Sequence, residues 1–456
     1  MSKKLSAPVD DESREIIRRY ELYLEGEGSG YFDVEELEAI VDYYLYKGRT
    51  KDGSKAIDLG LKLHPGSMSL KAKRAKIYLA VGDTQKAYRI ITSVSDSGDY
   101  EFSLLKIEAF SRMGRDAEAN VLCQNLIAET TDDLDNVCLD IAFIYISQLG
   151  FEQAVYYLKR GDKFNEFNAD LLFELAFCYE QLSENDKAID VYNRILNIDS
   201  FMSEAWFNLG QIYFAKQEFM KAIEAYDFAL AINPDDTLTS LQKAHAHFQL
   251  GQYTEAIDAY HEYESMTDDH WQSNLFVGEC YEKLERYDDA IAFYKKSLDE
   301  KAENYDALTG IAVCLLEKDQ YAESISYIKK AIDIQENAHD AWVYLAEALV
   351  GMDDIENALL AYLKSIAIEP NQPDTLMAIA NICMDKGEYQ TALQYYLTAY
   401  DMDKTLEYID LFIAIAFHKN DNDTAAVIYL KKAQELNLDA IKMFYEICPD
   451  AGPFSI

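Results

Sequence analysis

The sequence predicts an all-α chain in which about twelve helix hairpins stack side by side as a solenoid. Three observations carry this expectation. The 456 residues include only 7 prolines and 19 glycines, which suits long uninterrupted helices better than a turn-rich β fold. Apolar-periodic runs of about 14 residues succeed one another in pairs, the length of a helix pair. The same pair then returns every 34 residues through most of the chain.

Composition bounds the rest. Apolar residues make up 49%, enough for a large core, so global disorder is excluded. The 81 Asp and Glu against 42 Lys and Arg give a net charge of −39. Such a surface repels phosphate backbones and anionic lipid, so no nucleic-acid partner is expected. No apolar run is long enough to insert in a membrane, and the start MSKKLSAPVDDESRE lacks an apolar stretch, so no signal peptide is expected. The seven cysteines are odd in number, widely spaced and free of any CxxC pattern. They read as small core residues in a reducing compartment, and a cytoplasmic location is expected.

In chain order, residues 1–10 are expected to be mobile. Residues 11–24 read as an amphipathic helix with Ile16, Ile17, Tyr20 and Leu24 inward, and Gly26 to Gly30 as a flexible joint. Residues 1–32 thus form an N-terminal tail, helix and Gly-rich joint. Residues 33–134 hold loosened repeats. The unit at 33–67 keeps Ala56, with a second helix expected to stop about a turn short before Pro65. The unit at 68–101 keeps Ala75, Tyr78, Gly82 and Ala87, and the next keeps Gly114 and Ala119 but slips by one. Residues 135–440 hold nine regular units of 34. Trp206 and Trp342 stand four periods apart, as do Pro234 and Pro370. Ala222 and Tyr226 are followed at one period by Ala256 and Tyr260, and at two by Ala290 and Tyr294. Residues 441–456 read as a capping helix and tail, with Ile441, Met443, Phe444, Tyr445 and Ile447 as its apolar content.

Each hairpin needs a tight turn. Residues that tolerate positive φ stand at the turns: Gly82, Gly114, Gly251 and Gly387, or Asp319, Asp353 and Asp421. Gly210, Ala176, Ala312 and Ala346 let paired helices approach, and Tyr213, Tyr179 and Tyr281 fill the space beside them. One hairpin cannot bury its apolar face alone, so neighbours must stack.

The unit at 203–236 carries Trp206, Leu209, Gly210, Tyr213, Ala222, Tyr226, Ala229 and Pro234, and on these residues the chain resembles the tetratricopeptide repeat (TPR) family, as a long bacterial-type array. The resemblance implies a right-handed superhelix, non-enzymatic protein binding, and a ligand face on the concave side of the first helices. It implies no cofactor.

Chemistry-bearing motifs are missing. There is no GxSxG, HExxH, P-loop or EF-hand spacing. His245, His247, His261 and His270 fall in one unit, but none pairs at i, i+4 on one helix, so metal binding is disfavoured. His247 takes the place of Tyr213 and is expected to be buried and hydrogen-bonded. With repeats using most of the length, no separate catalytic domain fits.

Function is therefore expected on a surface. In the unit of Trp206, the side opposite Leu209 and Tyr213 carries Glu204, Phe207, Asn208, Gln211 and Phe214. Equivalent positions in the other units supply Asp140, Phe143, Asp170, Phe173, Glu174, Phe177, His245, Phe248, Phe276, Glu279, Asp306, Asp340, Tyr344, Glu347, Asp374 and Asn381. The first slot of this face also holds Tyr408. No Lys or Arg occupies the three slots read from 135 to 440. That disfavours capture of a terminal carboxylate. An acidic, aromatic-lined groove suits a basic or mixed basic–apolar protein segment, through ion pairs and cation–π contact. The expected function is a scaffold or adaptor. Two alternatives are a chaperone-like holder of disordered clients and an accessory subunit of an enzyme made by another chain.

Charge is uneven. Residues 1–100 carry 17 acidic and 16 basic groups, and residues 101–456 carry 64 and 26. Lys71, Lys73, Arg74, Lys76, Lys86 and Arg89 form a basic cluster, read as a second docking patch. Self-association through the terminal units is a further expectation.

Overall fold

The computed structural model describes residues 11–27, 30–94, 99–268, 270–451 and 454. The expectation for residues 1–10, and the Gly28 and Ser29 part of the joint, lie outside the described residues. Within them the chain forms 26 α-helices and no strand, an all-α repeat solenoid. It divides into two compact units, Met1–Ala215 and Lys216–Ile456.

In the first unit, α1 (Asp11–Leu24) precedes five hairpins. They are α2 and α3 (Val34–Tyr46, Thr50–Leu63), α4 and α5 (Met68–Ala80, Thr84–Ser93), α6 and α7 (Tyr100–Arg112, Asp116–Glu129), α8 and α9 (Leu134–Ile146, Phe151–Asp162), and α10 and α11 (Ala169–Gln181, Asn185–Ile198). Helix α12 (Ser203–Ala215) ends the unit. In the second unit, α13 (Phe219–Ile232) precedes six hairpins. These are α14 and α15 (Thr237–Gln249, Tyr253–Glu264), α16 and α17 (Trp271–Lys283, Tyr287–Glu300), α18 and α19 (Tyr305–Glu317, Tyr321–Ile334), α20 and α21 (His339–Gly351, Ile355–Ile368), α22 and α23 (Pro373–Asp385, Tyr389–Met402), and α24 and α25 (Ile409–Lys419, Asp423–Leu436). Helix α26 (Ala440–Ile447) follows.

Packing is between neighbours. Within each unit successive helices pack on one another, and first helices such as α8 and α10, or α16 and α18, also touch. Small residues set the spacing. Ala176, Ala188, Ala312, Ala346 and Ala392 are fully buried, and tyrosines such as Tyr192, Tyr260, Tyr294 and Tyr396 fill the gaps between helices. Tyr294 shows how tight the fit is. A Cβ built on Gly278 would stand 2.6 Å from its ring, and one on Gly310 2.5 Å, so only glycine fits on either side. All seven cysteines are buried and unpaired.

The turns follow one recipe. A single left-handed residue separates the helices of a hairpin, at Gly82, Gly114, Gly251, Gly387, Asp319, Asp353 and Asp421 as expected, and at Gly48. It also falls on Leu149, Ser183, Gln217 and Glu285, which nothing in their side chains favours. Several first helices start on polar caps. Asp33 accepts from the Glu36 amide at 2.8 Å while Glu36 accepts from the Asp33 amide at 3.1 Å, and Asn168 and Asn304 cap α10 and α18.

Four expectations need correction. Leu24 is exposed, and Tyr23 packs on the core beside Ile17 and Tyr20 instead, because the apolar side of α1 is narrower than its composition suggests. Helix α3 is not short: it spans 14 residues because it begins directly after Gly48, and the short second helix is α5, with 10. The 34-residue step holds through the nine units, since second helices start at that interval from Phe151 to Asp423, and the start of α24 is displaced from it. Helix α24 starts at Ile409, and Tyr408 precedes it as a left-handed cap at φ 58°, not as a helical face residue. His247 is only half-buried, with its Nδ1 hydrogen-bonded to Gln252 at 2.8 Å.

Candidate protein-binding surfaces

The residues of the predicted face divide between the units. In the first unit, Asp170, Phe173, Glu174 and Phe177 follow one another at helical spacing on α10, beside the buried residues Leu171, Leu172, Leu175 and Ala176. Asp170 and Phe177 are exposed, whereas Phe173 and Glu174 are half-buried. Burial, then the nearby Asp170 charge, raises the Glu174 carboxyl above its ordinary range. The Tyr192 ring of α11 meets Phe173 edge-on at 6.0 Å. Its hydroxyl donates to Glu180 at 2.6 Å and interacts with Asn208 of α12. Tyr192 thereby ties α10 to α12, where Phe207, Asn208, Gln211 and Phe214 are half-buried and Glu204 is exposed. Towards the N-terminus, Phe143 packs on the core, and Asp140 accepts a hydrogen bond from Tyr100 at 2.8 Å.

In the second unit the aromatic residues of the face, Phe248, Phe276 and Tyr344, are all half-buried. Phe276 stacks on Tyr260 at 5.2 Å and meets His245 edge-on at 4.8 Å, so it packs between helices. His245 shares a 2.8 Å hydrogen bond with the Tyr260 hydroxyl, and burial lowers its pKa. Phe248 packs against Tyr253, and Tyr344 against the core beneath α20. Glu279 is half-buried, and burial, followed by the charges of Glu282 and Asp306, pushes its carboxyl up to about 7. Asp340 accepts from Tyr305 at 2.6 Å, and Asn381 from Tyr396. Asp306, Glu347 and Asp374 stand exposed.

Two further acids join the face. Glu180 accepts from Tyr192, and Glu282 from Tyr294 at 2.7 Å. Sequence reasoning stopped one turn before them. The signal was present, since each precedes its tyrosine by 12 residues.

The basic cluster splits. Lys71, Arg74, Lys86 and Arg89 line one cavity of about 400 Å³ between α3, α4 and α5. Lys73 pairs with Asp42 and Lys76 with Glu101 at 2.6 Å, both outside it. Another cavity, of about 320 Å³, is lined by His261, Glu264, His270 and Lys296 among others. Among the described residues no group of three or more His, Cys, Asp or Glu is placed to hold a metal ion. None of their helices is long and apolar enough to cross a membrane.

Stacked hairpins with polar–aromatic faces and shared turns define a repeat protein of the protein-interaction scaffold class. Models of the tetratricopeptide repeat match residues 170–199, 203–236, 241–305, 283–331 and 375–407. Residues 170–407 are therefore those of a tetratricopeptide repeat protein. No curated protein matches the chain in sequence. Among solved structures, it is similar to the MamA protein at 22% identity, over 38% of this chain and 94% of that one, with a TM-score of 0.36. PilF of Pseudomonas aeruginosa is similar at 16% identity, over 47% and 97%, with a TM-score of 0.43. A tetratricopeptide repeat protein from Parabacteroides merdae matches at 16% identity, over 55% and 99%, with a TM-score of 0.43.

Proposed function

We propose that the chain is a non-enzymatic scaffold that holds a lysine- or arginine-containing protein segment with apolar anchors on the face of α10 and α12. The reading rests on one observation: Asp170, Phe173, Glu174 and Phe177 lie beside the Tyr192 bridge to Asn208, and no Lys or Arg stands in the slots read along this face. A cation held there meets carboxylates and ring faces together. A cation–π contact adds about 0.5–2 kcal/mol, more as water is excluded. The exposed Phe177 ring, braced edge-on by Phe151 at 6.1 Å, offers an apolar anchor.

The test uses a synthetic peptide of alternating lysine and phenylalanine, with an acidic peptide of equal length as control. The triple variant Asp170→Lys, Glu174→Lys, Glu204→Lys should bind the basic peptide at least about tenfold more weakly, a loss of about 1.4 kcal/mol, with its helical circular dichroism unchanged. Retained affinity would place binding elsewhere. Raising salt from about 50 to about 500 mM should weaken capture by the parent chain, because exposed charges are screened beyond a Debye length.

A further inference from the structure

The cavity between α3, α4 and α5 is the one concave place described above whose charged lining is entirely cationic. Its origin is a change of residue type at core positions. Aligning Ala75 with Gly210 and Tyr78 with Tyr213 puts Lys71 in the place of Trp206 and Arg74 in the place of Leu209. Several repeats fill these places with buried apolar pairs, such as Leu172 with Leu175 and Leu308 with Ile311, and one places a single cation, Lys243, where Arg74 stands. Here two cations enter instead. Helix α5 also ends at Ser93 after 10 residues, where α3 and α7 run 14, and Ser93 stands at the cavity rim.

The cations are unevenly satisfied. Arg74 pairs with Asp58, and Lys86 with Asp83 at 2.7 Å. Both also lie over the Tyr78 ring, each 5.5 Å from its centroid. Lys71, which is half-buried, and Arg89 make no ion pair among the described residues. Leu61 and Ile90 supply apolar wall beside them. A half-buried cation left without a counter-charge is costly, and a bound anion would offset that cost.

We propose that this cavity is a second docking site, for an acidic peptide segment of a partner protein that presents Asp or Glu beside an apolar side chain. The apolar wall distinguishes it from a site for a simple anion. A second copy of the chain is disfavoured, because two molecules of net charge −39 repel one another. The position also differs from the α10 and α12 face, since Lys71 and Arg74 occupy places that elsewhere face the core.

The probe is a rhodamine-labelled decapeptide of glutamate and leucine, followed by fluorescence anisotropy on the full chain. Lys71→Glu with Arg89→Glu should weaken binding at least tenfold, and Lys71→Gln with Arg89→Gln should fall between. Both should still bind the lysine–phenylalanine peptide, so failure here is distinct from failure of the α10 and α12 reading. Unchanged anisotropy in the neutral variant, with its melting temperature preserved, would overturn the proposal. So would full displacement by excess inorganic phosphate, which would mark a simple anion site. Salt-sensitive self-association that the charge-reversed variant abolishes would assign the cavity to a second copy and overturn it equally.

Discussion

Glu279 carries the largest carboxyl shift on the second unit's face, and it makes stability depend on pH in a definite direction. Burial first, then Glu282 and Asp306, lift it from an ordinary 4.5 to about 7. The folded chain therefore holds this proton more tightly than the unfolded chain. Its contribution is fully present below about pH 4.5 and is lost as pH rises through about 7. At about 1.4 kcal/mol per pH unit, the loss reaches up to about 3 kcal/mol. Glu279→Gln should be more stable than the parent by up to that amount at about pH 8, and equal to it at about pH 4, in urea melts. A difference independent of pH would show that Glu279 keeps an ordinary carboxyl. Its place on the face was legible from the repeat alone. Its enclosure was not, because Phe276 stacks on Tyr260, and such ring contacts depend on rotamers that periodicity does not encode.

Helix α26 closes the second unit. Phe444 is fully buried among Leu411, Ala414 and Leu430, with His418 edge-on at 5.7 Å. Phe444→Ala should cost about 3–5 kcal/mol locally. Because hairpins lean only on their neighbours, amide exchange should accelerate across α24 to α26 while α18 and α19 keep their protection. A uniform acceleration through the unit would mean that it opens as one block. Elements of this kind were readable wherever a rule of local chemistry sets them: Asp and Gly at the turns, small residues where helices meet. Leu149, Ser183, Gln217 and Glu285 were not, although each adopts the same left-handed turn. Hairpin length fixes the place of the turn, and whichever residue falls there bears a strain of about 1–2 kcal/mol. The same reason hid the true lengths of α3 and α5. A helix start depends on where the preceding turn ends, and Gly48 lies earlier than the distance back from Pro65 suggests.

At the scale of the chain, the surplus of 81 acids over 42 bases means that charges repel more than they attract. Added salt should therefore raise the melting temperature between about 10 and about 150 mM, while it weakens capture of the basic peptide. A melting temperature that falls with salt would show that the ion pairs outweigh the repulsion. In four repeats a buried tyrosine of the second helix reaches a polar group on the first: Tyr192 to Glu180, Tyr260 to His245, Tyr294 to Glu282 and Tyr396 to Asn381. The wall that a visitor touches is thus wired from its hidden side. Trading one such hydroxyl for a hydrogen would release an acceptor to the visitor without altering any residue on view, so preference can drift between relatives whose outer faces read the same.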